Sequence, residues 1–159
     1  MLLIHVLLSL IGILAGFVVL YGLLTGRVYD GWTATFLVTT ILTSLSGFPL
    51  PPFGFDPPRT VGVISLVLLA LAVAALYAFK LAGVWRWIYV GGAVTALYLN
   101  VFVGVVQAFQ KLPFLRALAP TQSEPPFLVT QLVVLAAFIA LGVLAAIKFR
   151  PVRPSIRAG

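Results

Sequence analysis

Cysteine is absent from this 159-residue chain. With it go disulfides, thiolate metal sites, cysteine nucleophiles and palmitoylation. Histidine is represented by His5 alone, which excludes a haem held by two histidines of this chain and any multi-histidine metal site. The only acids are Asp30, Asp56 and Glu124. None falls inside an apolar run, so the usual sign of a proton relay or ion pump is missing. Charged residues make up 8% of the chain, too little polar surface for a soluble domain of this size. The sequence contains no phosphate-binding loop, metal-ligand spacing or nucleophile motif, and no carboxylate pair of the kind used in glycoside hydrolysis. The expectation is a non-enzymatic protein with no cofactor and no metal.

What is present is apolar, at 62% of residues. The class this predicts is all-α: a polytopic membrane helical bundle forming one transmembrane domain over 1–159. A crossing needs roughly 20 apolar residues of helix. Five runs approach that, at about 2–24, 33–48, 58–80, 85–109 and 127–147. The first has no basic segment ahead of it and exceeds a signal-peptide core in length, so it reads as a retained span. The formal charge of +7 comes from basic residues scattered at the ends of runs. That distribution fits membrane orientation and anionic headgroups, and not nucleic acid.

The run from Trp85 to Lys111 carries the most information. Trp85, Arg86, Trp87 and Tyr89 make an interfacial knot at one end. Tyr89, Ala93, Ala96, Asn100, Gly104 and Gln107 then recur at helical spacing. Small residues let helices approach closely, and amides bond across the contact. This face predicts a central helix with Asn100 and Gly104 turned inward. In the first run, His5, Ser9, Gly12 and Gly16 share a face, and Gly12 and Gly16 have the spacing of a close helix contact. In the second, Thr35, Thr39, Thr43 and Ser46 form a hydroxyl stripe, with Thr40 and Ser44 beside it. Such a stripe serves packing or a polar lining, since a helical hydroxyl can bond the carbonyl one turn back. In the third, Ala70, Ala74 and Ala78 predict a smooth packing ridge.

The connections are equally legible. Thr25-Gly26-Arg27 reads as a helix stop. Five prolines between Gly47 and Pro58 forbid helix there. Asp30, Asp56 and Glu124 fall at helix starts, where a carboxylate suits the positive dipole end, and Ser123 reads as the cap of the last helix. Leu112 to Leu118 predicts a short interfacial helix carrying Arg116. With the N-terminus outside, the inner side holds Arg27, Lys80, Arg86, Lys148, Arg150, Arg153 and Arg157, against Arg59, Lys111 and Arg116 outside. The excess of positive charge therefore predicts N-out, C-in. Five spans do not divide into equal halves, which counts against an inverted-repeat transporter.

The stretch LYLNVFVGVVQAFQKLPFLRALAPTQSEPPF, from Leu97 to Phe127, resembles small multi-span proteins of bacteria to which no role is assigned. The resemblance implies a bacterial inner membrane and carries no activity with it.

The function expected first is an accessory or assembly subunit. Its partners would be membrane lipids and other membrane chains, or a second copy of itself. The second expectation is a binder or conduit for a lipid, quinone or other amphipathic molecule. Its site would be an outer cluster of His5, Ser46, Gln107, Glu124 and Gln131, with Gln107 and Gln131 approaching each other. An enzyme would have to draw on His5 with Glu124.

Overall fold

The computed structural model describes residues 2–49 and 57–151. Regular structure in that part is entirely helical. The helices are α1 (Leu2–Thr25), α2 (Asp30–Gly47), α3 (Pro57–Val73), α4 (Trp85–Lys111), α5 (Pro113–Leu118) and α6 (Pro125–Lys148). A π-wound turn, Ala74–Ala78, prolongs α3. Asp56, Arg153 and Arg157, named above, lie outside the described residues.

Four stretches of helix are long and apolar enough to cross a membrane: Leu3–Thr25, Arg59–Ala78, Trp85–Lys111 and Pro125–Lys148. α2 is not among them, because hydroxyl side chains replace so much of its apolar surface. It nevertheless follows α1 from end to end. A side chain placed on Gly22 would meet Tyr29 at one end of the pair, and one placed on Gly47 would meet His5 at the other.

The stop after α1 is a complete Schellman closure. Gly26 takes φ +71°, its N–H reaches the Leu23 carbonyl, and the Arg27 N–H donates 2.8 Å to the Gly22 carbonyl. The turn from α3 into α4 is tighter. Lys80, Leu81 and Gly83 all have positive φ, and the Phe79 ring stacks on Trp85 at 3.8 Å.

α4 is the centre of the bundle, touching α1, α3, α5 and α6. Tyr89, Ala93, Ala96 and Asn100 are buried on it, and Gly104 and Gln107 are half-buried. The ridge by which α3 meets α4 differs from the one the alanine spacing predicts. Ala70 and Ala78 are exposed, and the buried residues are Ser65, Leu69, Ala72 and Ala75. Gly92 sets the contact: a side chain there would stand 3.1 Å from the Leu68 carbonyl and 3.4 Å from the Ala72 methyl. In a run of alanines and leucines every face looks smooth, and the partner's glycine decides which is used.

Tryptophan and tyrosine are unevenly placed. Tyr21, Trp32, Tyr77 and Trp87 are exposed, at the end where α1 stops, α2 starts, α3 stops and α4 starts. Arg27, Lys80, Arg86 and Lys148 lie at that same end. The opposite end carries His5, Arg59 and Lys111, with a second small core of Phe109, Ala119 and Phe127 under α5.

The closest helix approach gives a direct test. A side chain on Gly16 would stand 2.5 Å from Leu97 Cδ1 and 3.0 Å from the Phe36 ring. Gly16→Val is expected to destabilise the protein by roughly 1–3 kcal/mol through overpacking. Gly31→Ala, with nothing within 4 Å, is expected to cause no loss. Unfolding in mixed micelles compares them, and equal responses would contradict the packing described.

Candidate functional site

The polar side chains fall into separate groups, each built by a different pair of elements. The deepest is the seam between α1, α2 and α4. Asn100 Nδ2 donates to Thr40 Oγ1 at 3.2 Å, and both residues are buried. Gly12 makes this possible. A side chain there would stand 3.1 Å from the Thr39 and Thr40 hydroxyls and 3.5 Å from Asn100 Nδ2. Thr39 turns its own hydroxyl back to the Thr35 carbonyl at 2.6 Å, and Thr35 does the same to Gly31. These are helix-internal bonds, the structural use of a hydroxyl stripe. Thr43 differs: its hydroxyl is buried with no hydrogen-bond partner. Gly104 faces α1, within van der Waals reach of Ile13.

The second group joins the start of α1 to the end of α2. His5 Nδ1 lies 2.9 Å from Ser46 Oγ. Ser46 donates its hydroxyl hydrogen to the Thr43 carbonyl at 3.1 Å. Two of the five residues expected in the outer cluster are thus brought into direct contact.

The other three are not brought to them. Gln131 reaches α4, where Nε2 donates 3.2 Å to the Phe102 carbonyl, and its Oε1 is buried without a partner. No hydrogen bond joins Gln107 to Gln131 among the described residues. The reason is helical phase. Gln107 stands one heptad beyond Asn100 on the face toward α1 and α2, whereas Gln131 meets the turn at Phe102.

Glu124 turns away from the bundle. It occupies the N-cap position of α6, but its carboxylate makes no cap bond there. It accepts instead from the Thr121 hydroxyl at 2.8 Å, the Thr121 N–H at 3.1 Å and the Ser123 N–H at 3.1 Å. Desolvation raises its pKa, but these hydrogen bonds outweigh that and hold the carboxyl below the ordinary glutamate value. Ser123, expected as the cap, bonds the Thr121 hydroxyl at 2.5 Å. Asp30 lies in the first turn of α2, which Tyr29 precedes without a side-chain cap. The dipole position expected for Asp30 is occupied; a capping bond is not made.

Several groups escaped the sequence reading. Arg86 donates to the Phe149 and Ala146 carbonyls and so closes the open end of α6. Its guanidinium also lies 4.0 Å from the centre of the Trp87 ring. Nothing in a Trp-Arg-Trp run says that a helix end sixty residues away will supply the acceptor. Gln122, with φ +60°, donates 2.9 Å to the Val106 carbonyl and accepts from Gln110 at 3.3 Å. Beside it opens a cleft of about 290 Å³ lined by Phe109, Gln110, Arg116, Pro120, Thr121 and Gln122. None of the five expected outer-cluster residues lines it.

No protein-family model, curated protein or solved structure matches this chain. Its class therefore rests on its own geometry: a helical protein with four helices able to cross a membrane. No group of three or more metal-ligating acids or histidines occurs among the described residues.

The seam predicts a measurable coupling. Asn100→Leu and Thr40→Val each break one bond, and the double variant breaks the same bond once. A double-mutant cycle on unfolding is expected to give about 0.6 kcal/mol of coupling, the average for a bond between membrane helices. Strict additivity would mean that the contact contributes nothing.

Proposed function

We propose that the chain is a non-enzymatic integral membrane protein of a bacterial inner membrane. It crosses five times, N-terminus outside, and serves as an accessory or assembly subunit packing against other membrane chains or a second copy of itself. The carrying observation is where the polar groups go. Asn100 bonds Thr40, His5 bonds Ser46, Gln131 and Gln122 bond carbonyls of α4, Arg86 closes α6, and Glu124 ties its own loop. What faces outward in the spans is apolar. α6 is the barest, with Leu128, Leu132, Ile139, Val143 and Ile147 exposed along its length. Lipid or another apolar helix suits such a face, and no reaction does.

The fifth crossing is α2. Its support is the register with α1, from Tyr29 against Gly22 to Gly47 against His5. Over that distance α1 is a full-length apolar helix, and α2 ends beside both of its ends. The orientation rests on the excess of arginine and lysine at the tryptophan-bearing end. A reporter fused after Gly159 is expected to be active in the cytoplasm. Activity confined to the periplasm would reverse the assignment.

Two buried groups favour a second reading, a binder of a quinone or other amphipathic molecule. The Thr43 hydroxyl and the Gln131 carbonyl oxygen both lack a partner. Buried groups of this kind cost stability until met. Native mass spectrometry of the protein extracted in its own lipid separates the readings. The subunit reading expects a stoichiometric membrane protein, or a second copy, in the same particle. A bare monomer retaining a quinone would replace it with the second reading.

A further inference from the structure

We propose that the cleft between the end of α4, α5 and the 119–124 loop holds the phosphate of an anionic lipid headgroup, with Arg116 as its principal contact. The site is distinct from every group considered above as a binding cluster. Its apolar wall is Phe109, held by the small core it forms with Ala119 and Phe127, where the Phe109 and Phe127 rings meet edge to face at 5.3 Å. Its wall is fixed by Gln122, anchored to the Val106 carbonyl, and by the Gln110–Gln122 bond. The loop behind it is pinned by Glu124 through Thr121 and Ser123. The lining is therefore set before any ligand arrives.

Arg116 supplies the charge. Its guanidinium has no hydrogen-bond or ion-pair partner among the described residues. Five N–H donors in a planar fork match phosphate oxygens bidentately. Gln110 and Gln122 each commit one amide hydrogen, leaving a second on each amide nitrogen. The Glu124 carboxylate already accepts from Thr121 and Ser123 and is not part of the lining. Lys111, at the last turn of α4, adds positive charge nearby.

α5 sets the depth. Phe114 and Leu118 lie one turn apart and are exposed, forming an apolar face. Arg116 lies two residues from each, about 200° around the helix. Leu115 packs inward on the Phe109 core. A short helix with apolar side chains on one face and arginine on the other rests at the headgroup boundary. There Phe114 and Leu118 enter the acyl region while Arg116 stays at phosphate level. A cleft of about 290 Å³ is at the small end of ligand pockets, sized for a headgroup and not a whole lipid.

The test is lipid retention by the full chain, reconstituted in bilayers of phosphatidylglycerol and phosphatidylcholine and read by native mass spectrometry. The wild type is expected to retain one phosphatidylglycerol in preference to phosphatidylcholine. Arg116→Gln is expected to lower that preference about tenfold, as loss of a charge-assisted contact implies. Lys111→Gln should lower it much less. Gln110→Glu, which puts a carboxylate into the cleft, serves as the second variant, and it should abolish the preference while the thermal transition is retained. Unchanged preference in both Arg116→Gln and Gln110→Glu overturns the proposal. Equal loss in Lys111→Gln and Arg116→Gln overturns the cleft in favour of diffuse surface charge. Displacement of the lipid by millimolar inorganic phosphate would assign the site to soluble phosphate and overturn the lipid source.

Discussion

The bundle depends on how closely α1 can lie against α2 and α4 at once. Gly12 and Gly16 remove the side chains that would hold the three backbones apart, and the amide of Asn100 then reaches Thr40 across the gap. In lipid no hydrophobic force separates one apolar contact from another, so close packing and hydrogen bonds must select the partners. A leucine at either glycine would be as soluble in the bilayer, yet it would displace Leu97 or the threonine hydroxyls. The same logic governs α3 and α4, where Gly92 admits the Leu68 carbonyl and the Ala72 methyl.

Polar groups at the edges work differently from those in the seam. Arg86 and Gln131 both fasten α6 to α4 through backbone carbonyls, near opposite ends of the pair. A helical carbonyl already accepts one bond and has a second lone pair available, so α4 can receive a glutamine without losing its own ladder. α6 thereby needs few buried side chains to stay in place. That accounts for a helix so exposed along its length yet joined to the bundle at both ends.

The sequence made the periodic features legible, and the pairings less so. The apolar runs, the Gly26 stop, the inward face of α4 from Tyr89 to Asn100, and the contact role of Gly12 and Gly16 follow from spacing and residue size. Each is a property of one helix. The failures needed two. Which alanines of α3 are buried depends on Gly92 of α4. Whether Gln107 meets Gln131 depends on the rotation of α4 about its axis, which Asn100 fixes. Glu124 was placed correctly at a helix start, but three donors in its own loop outcompeted the cap. The Arg116 cleft was illegible because its wall depends on a glutamine in the left-handed region and on Phe109 being held by the ring of Phe127 from the next long helix.

The aromatic distribution has a mechanical consequence. Every tryptophan, and every tyrosine except Tyr98, sits near the end defined by Gly26, Trp32, Tyr77 and Trp85. Amphipathic rings hold a protein to the headgroup level far more firmly than aliphatic side chains do. The bundle is thus registered to one leaflet. When bilayer thickness changes, the adjustment falls on the opposite leaflet, where the described chain offers α5, a short helix with Phe114 and Leu118 exposed. A surface helix can ride up or down with the headgroups at small cost, whereas tilting the bundle would drag the anchored rings out of register. The protein is built as a fixed base with a floating rim, and differences in membrane thickness should be felt first at α5 and its loop.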